Sequence, residues 1–244
     1  MALPKLTTPT YELEIPSTDE KIKYRPFLVK EEKILMMAME SKASADITQA
    51  VKDIVSECTF NKVKIDDMPM FDVEYIFLNI RSKSVGEVSK LKLLCPDDKK
   101  TYADVDVDLN EVKVQVGDDH TNKIDLGNDM GMIMKYPTID SFSETGIRDI
   151  NPSNMLDVIS TCILQIYEKK GEKVYDTKDQ TQKEITEFIE QLNTKQFKDV
   201  QNFFETMPKL KHEITIKNPK TKKESKIMLN GLNDFFASPF HMIV

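Results

Sequence analysis

Apolar and polar positions along the chain change period several times. In "YELEIPSTDEKIKYRPF", Tyr11, Leu13 and Ile15, then Ile22 and Tyr24, alternate around a Pro-Ser-Thr-Asp-Glu turn, which predicts a β-hairpin with one wet face. The period then becomes helical. "LVKEEKILMMAME" reads as a helix, and "ADITQAVKDIVSEC" places Ile47, Ala50, Val51, Ile54, Val55 and Cys58 on one stripe. A third helix enters through Asp67 and Pro69, carries Met70, Val73, Ile76, Phe77 and Ile80 along one side, and stops at Gly86. "LKLLCPDDKKTYADVDV" then alternates on both sides of a charged turn, as a second hairpin does. Residues 112–142 mix short alternating runs with Gly and Asp turn signals and predict strands and loops.

Beyond "NPSNMLDVISTCILQIYEK", read as a helix with Met155, Ile159, Cys162, Ile163 and Ile166 in phase and Pro152 near its first turn, the chain breaks at "KKGEKVYD". Thr181 and Glu184 have capping-box spacing ahead of Ile185, Phe188, Ile189 and Leu192. "TKQFKDVQNFFETM" is a further helix ending at Pro208. Ile214, Ile216, Ile227 and Leu229 then alternate about a last polar turn. The order of helix, strand, "CPDDKK" turn and strand therefore returns as helix, strand, "NPKTKK" turn and strand. Hairpins interspersed with amphipathic helices, without regular βαβ units, predict an α+β fold with two similar helix-hairpin lobes. A soft boundary near residue 150 divides an N-terminal α+β lobe, 1–150, from a C-terminal helical lobe, 151–244, that ends in a hairpin and an apolar tail.

Composition narrows the function. The chain has 244 residues, 40% of them apolar, which is enough to bury a substantial core. A formal net charge of −7 argues against a surface that coats nucleic acid. The longest apolar run, "ILMMAM", is far short of the ~20 residues that span a bilayer, and the opening residues lack a signal-peptide pattern. Three widely spaced cysteines, Cys58, Cys95 and Cys162, form no disulfide framework. A cytosolic product is expected.

Chemistry-bearing patterns are sparse. No phosphate-binding loop, HExxH or nucleophile elbow occurs, so neither catalysis nor a cofactor is expected. Cys95-Pro96 resembles half of a zinc knuckle, but Asn218 stands in the corresponding place of the later turn, and neither hairpin supplies a close second Cys or His. Asp104, Asp106 and Asp108 share one strand face, where water is the expected neighbour rather than a cation. "DLGNDMG" lacks the order of a calcium loop. His120, beside Asp118 and Asp119, is expected in an exposed turn, and His212 and His241 add no pattern. Lys217, Lys220, Lys222, Lys223 and Lys226 gather at the second hairpin tip without interleaved aromatics.

Two apolar features are candidates for partner contact. Met130, Met132 and Met134 alternate in "DMGMIMKYP" within a chain of 13 methionines, a residue whose thioether adapts to varied apolar surfaces. The plainer reading of that segment is a buried strand. "DFFASPFHMIV" carries Phe235, Phe236, Phe240, Met242, Ile243 and Val244 in a stretch too short for its own core, so it either tucks into this chain or covers another.

"KYRPFLVKEEKILMMAM", "FDVEYIFLNIRSKSVGE" and "NFFETMPKLKH" resemble the baseplate hub subunit and hub-assembly proteins of T-even-like contractile-tailed phages, including those of cyanobacteria. The likeness runs nearly end to end. It implies a non-enzymatic product of the host cytoplasm that builds the central hub of the tail baseplate. A resident virion subunit and a transient chaperone of the tape-measure protein are both compatible with it. Hub or tape-measure chains are the implied partners. A metal- or nucleic-acid-binding regulator acting through the hairpin tips is the alternative from another class, and a hydrolase using the aspartates is a remote third.

Overall fold

A computed structural model describes residues 6–41, 43–144, 155–171 and 173–235. In chain order these form β1 (Tyr11–Glu14), β2 (Lys21–Tyr24), α1 (Val29–Ser41), α2 (Ser44–Cys58), α3 (Met70–Val85), β3 (Val88–Leu94), β4 (Tyr102–Asp108) and β5 (Lys113–Gln115). Next come β6 (Lys123–Gly127), β7 (Met130–Met134), α4 (Ile139–Glu144), α5 (Met155–Thr161), β8 (Ile163–Glu168), β9 (Val174–Asp176), α6 (Gln182–Glu190) and α7 (Thr194–Thr206). The last are β10 (Lys209–Lys217), β11 (Glu224–Asn230) and α8 (Gly231–Asp234). The fold is α+β, with small antiparallel sheets.

Two compact units divide the chain: Met1–Gln115 with Lys209–Val244, and Val116–Pro208. The boundary expected near residue 150 lies outside the described residues, as does Pro152.

In the first unit α3 is buried on most of its circumference, with Ile76, Phe77, Leu78 and Ile80 sealed from water. A helix apolar nearly all round must lie inside, and "MFDVEYIFLNI" has that composition. It begins right after Pro69 and ends at Gly86, whose φ of 143° suits glycine. Helix α1 packs on α2, and α2 on α3. The chain before α1 is pinned by a buried ion pair. Arg25 Nη2 donates to Glu31 Oε1 at 2.8 Å, and Glu31 Oε2 accepts the Leu28 N–H at 2.7 Å, holding the first turn of α1. Burial pushes the Glu31 carboxyl up, but Arg25, the Leu28 amide and Lys30 together outweigh it and hold the group below its ordinary range.

Hairpins β3–β4 and β10–β11 share one core in this unit. Leu91, Ala103 and Val107 meet Leu210, Ile214, Ile216 and Leu229 there, with Leu78 of α3 and Phe235. Alternation fixes this packing, because each strand sends every second side chain inward.

The second unit is a sheet in the order β6-β7-β8-β9, covered by helices. Ile124, Leu126, Met132, Met134, Ile163 and Ile166 of the sheet pack with Val158 and Ile159 of α5, Ile185 and Ile189 of α6, and Val200 and Phe203 of α7. Thr181 and Glu184 form the expected capping box, and Asn193 with Gln196 forms another at the start of α7. The helix expected through Ile166 is a correction: α5 stops at Thr161, and Ile163–Glu168 is a strand paired on both sides. "ILQIYE" satisfies either period over so short a span, and pairing with β7 and β9 decides it.

Candidate interaction surfaces

The methionine strand is the first candidate. Met132 and Met134 are 0% and 1% exposed within the second unit's core, and Met130 is half-buried against it. Strand β7 is flanked by β6 and β8, and residues of α5, α6 and α7 cover its inward face. These side chains stabilise the fold, at ~1.5–3 kcal/mol per fully buried large apolar residue, and offer a partner almost no area. Gly131, on the opposite face, lies under the Tyr167 ring, where an added Cβ would strike that ring.

Phe235 is also interior. It is fully buried, and its carbonyl accepts the Ser89 hydroxyl at 2.7 Å. Phe236, Phe240, Met242, Ile243 and Val244 lie outside the described residues.

Exposed apolar area collects instead on α1. Its sequence runs six apolar residues in succession, Ile34 to Met39, and a helix resting one side on its neighbour cannot hide them all. Leu35 and Ala38 go inward, while Ile34, Met36 and Met37 face outward with Val29, which is 79% exposed. "ILMMAM" therefore carried a signal that its shortness as a membrane span concealed. Among the described residues no helix is long and apolar enough to cross a bilayer.

The two hairpin tips form a second surface. Asn218 Nδ2 donates to Asp97 Oδ1 at 2.8 Å and Thr221 Oγ1 to Asp97 Oδ2 at 2.5 Å, so the "CPDDKK" and "NPKTKK" turns are fastened together. These two donors hold the Asp97 carboxyl below its ordinary range. The turns are also alike in backbone. Lys99 N–H returns to Cys95 O, as Lys222 N–H does to Asn218 O, and Lys99 and Lys222 have φ of 52° and 63°. Lys99 and Lys100 thereby join Lys220, Lys222 and Lys223 at one exposed end. Lys217 lies 3.9 Å from Glu224, and Lys226 lies 2.7 Å from Glu213.

The groups that invited chemistry are placed otherwise. Cys58, Cys95 and Cys162 are free and buried, and burial pushes the Cys58 thiol up to about 12. Asp104 and Asp106 sit opposite Lys92 and Lys90 on the exposed face of the β3–β4 hairpin. His120 is half-buried rather than in an exposed turn. Its ring nitrogens lie 2.9 Å from Thr206 Oγ1 and 3.0 Å from Tyr136 Oη, beside the Phe203 ring, and burial lowers its pKa. Among the described residues no group of three or more His, Cys, Asp or Glu side chains is arranged to hold a metal ion.

Residues 8–237 match the family described as T4 bacteriophage base plate protein. The chain belongs to that family. No curated protein and no solved structure matches it. Membership of a baseplate family implies protein partners in the phage tail. Of the strings that carry the hub-like resemblance, "KYRPFLVKEEKILMMAM" supplies both the Arg25–Glu31 pair and the outward residues of α1.

Proposed function

We propose that this baseplate protein is a non-enzymatic hub component or hub-assembly factor that works by protein–protein contact. The family match over residues 8–237 supports a role in the tail, and the outward apolar residues of α1 support contact as its means. Val29, Ile34, Met36 and Met37 form a helical face of the kind that enters an apolar groove or pairs with a partner helix, such as one of a tape-measure chain. The tail residues Phe236, Phe240, Met242 and Ile243 are proposed as a further contact, whereas Met132, Met134 and Phe235 act within the core.

A pulldown from infected cells, compared with the protein content of finished virions, tests the reading. Tail proteins captured by wild type and lost on Val29→Asp with Met37→Asp support it, provided the thermal midpoint stays unchanged. Truncation after Phe235 tests the tail and keeps the buried Phe235 in place. Presence in the finished particle marks a resident subunit, and absence marks a transient chaperone. Recovery of no tail protein by the wild-type chain would refute the proposal.

A further inference from the structure

Strand β11 is paired on one side and open on the other. Its seven residues run without a bulge along β10, and among the described residues no strand lies against the outer edge. Asn218 N–H donates to Lys223 O where the hairpin closes, which sets the parity of the ladder. Stepping by two, Ser225, Ile227 and Leu229 exchange bonds with β10, and the amides of Glu224, Lys226, Met228 and Asn230 point outward. Asn230 N–H follows this parity and is taken by Asp234 Oδ2 at 2.8 Å. The other three outward amides meet no acceptor among the described residues. The same residues turn their side chains to solvent, and Met228 is 43% exposed.

An open strand edge is a template for another chain, and proteins guard such edges with proline, bulges or charge. Here the guard is charge of one sign. Lys220, Lys222 and Lys223 stand at the start of β11, and the Asp97 clamp brings Lys99 and Lys100 beside them. Nearby acids are already engaged. Asp97 holds Asn218 and Thr221, Asp98 accepts from Lys100, Thr101 and the Thr101 hydroxyl, and Glu224 faces Lys217. Within a chain of net charge −7 this end is basic, so it repels cationic strands and attracts carboxylates.

We infer that the open edge of β11 receives an extended, carboxylate-bearing segment of a partner chain as an added strand, its acidic side chains lying along the lysines of the joined tips. This rests on the partner-binding role proposed above and states the chemistry of one partner. A nucleic acid fits less well, because no arginine and no row of aromatic rings accompanies these lysines.

The test is amide hydrogen exchange on the full chain with a blocked peptide of alternating Glu and Val. Its Lys-Val counterpart and a single-stranded oligonucleotide serve as competitors. The Glu-Val peptide is expected to slow exchange at Glu224, Lys226 and Met228 by roughly tenfold, with the Lys-Val peptide inactive. Met228→Pro removes an outward donor without breaking a ladder bond and is expected to abolish the protection. Should that variant fold poorly, Lys220→Glu with Lys222→Glu and Lys223→Glu leaves the backbone intact and is expected to transfer the preference to the Lys-Val peptide. Four results would overturn the inference: no protection at these amides, equal protection by both peptides, displacement by the oligonucleotide, or amides already protected in the free protein. If Met228→Pro captures tail proteins as wild type does, the edge is not the contact, while the broader partner-binding role stands.

Discussion

Glu74 couples the stability of the fold to pH near neutrality. It projects from α3 toward α8, and its Oε1 accepts the Leu232 N–H at 3.2 Å. Burial raises its pKa from 4.5 to about 7, opposed in part by that amide. A carboxyl with a raised native pKa stabilises the fold in its protonated form. Its contribution is therefore complete below the unfolded value and is lost as pH rises through about 7. The shift corresponds to about 3 kcal/mol, an upper figure because the half-buried side chain keeps some contact with water. Glu74→Gln retains an oxygen for Leu232 and cannot ionise. Urea unfolding followed by far-UV circular dichroism suits a chain without tryptophan, and wild type and variant are to be compared from about pH 4.5 to about pH 8. The two are expected to be nearly equal at the acid end, with the variant more stable by up to about 3 kcal/mol at the alkaline end. Taking the difference cancels the other carboxylates, whose titration is common to both proteins. A difference that does not change with pH, or that favours the wild type as pH rises, would refute the reasoning.

Two further perturbations follow from packing. Glu31→Ala leaves the Arg25 guanidinium buried beside Cys58 without its carboxylate, and a loss of about 3 kcal/mol is expected in the same unfolding assay. Gly131→Ala forces the Tyr167 ring off the glycine it covers, at an expected cost of about 1–3 kcal/mol, with changed tyrosine near-ultraviolet dichroism as the local readout.

Elements whose period was long or bounded by clear signals were legible from the chain. The stripe of α2, the Pro69 entry and Gly86 exit of α3, and the hairpin from Tyr11 to Tyr24 all lie where alternation or helical spacing put them. Residues 155–168 were not, because Ile159, Cys162, Ile163 and Ile166 fit a helical stripe even though the stretch passes from helix to strand at Cys162. Only the neighbours β7 and β9 distinguish the two. Burial was harder to read than periodicity. Met130, Met132 and Met134 announce a strand, and a buried strand is their plainer reading, but nothing in their spacing says that β6 and β8 flank it or that three helices cover it. The pairing of Arg25 with Glu31 obeys no helical or strand spacing, and Asp97 reaches Asn218 across 121 positions. Such contacts belong to topology, which local pattern does not encode. The outward face of α1 was written in the run from Ile34 to Met39, since that many consecutive apolar residues exceed one helical stripe.

The division of the chain also orders events on the ribosome. The unit spanning Val116–Pro208 is continuous, so all of it has been translated before β10 emerges. The first unit lacks Leu210, Ile214, Ile216, Leu229 and Phe235 until β10, β11 and α8 have been translated. Until then Leu78, Leu91 and Val107 lack these counterparts, and the nascent chain carries a sticky half-core while the whole second unit is made. A chain that terminates after Pro208 but before β10 is complete holds all of the central unit and leaves the flanking one uncovered.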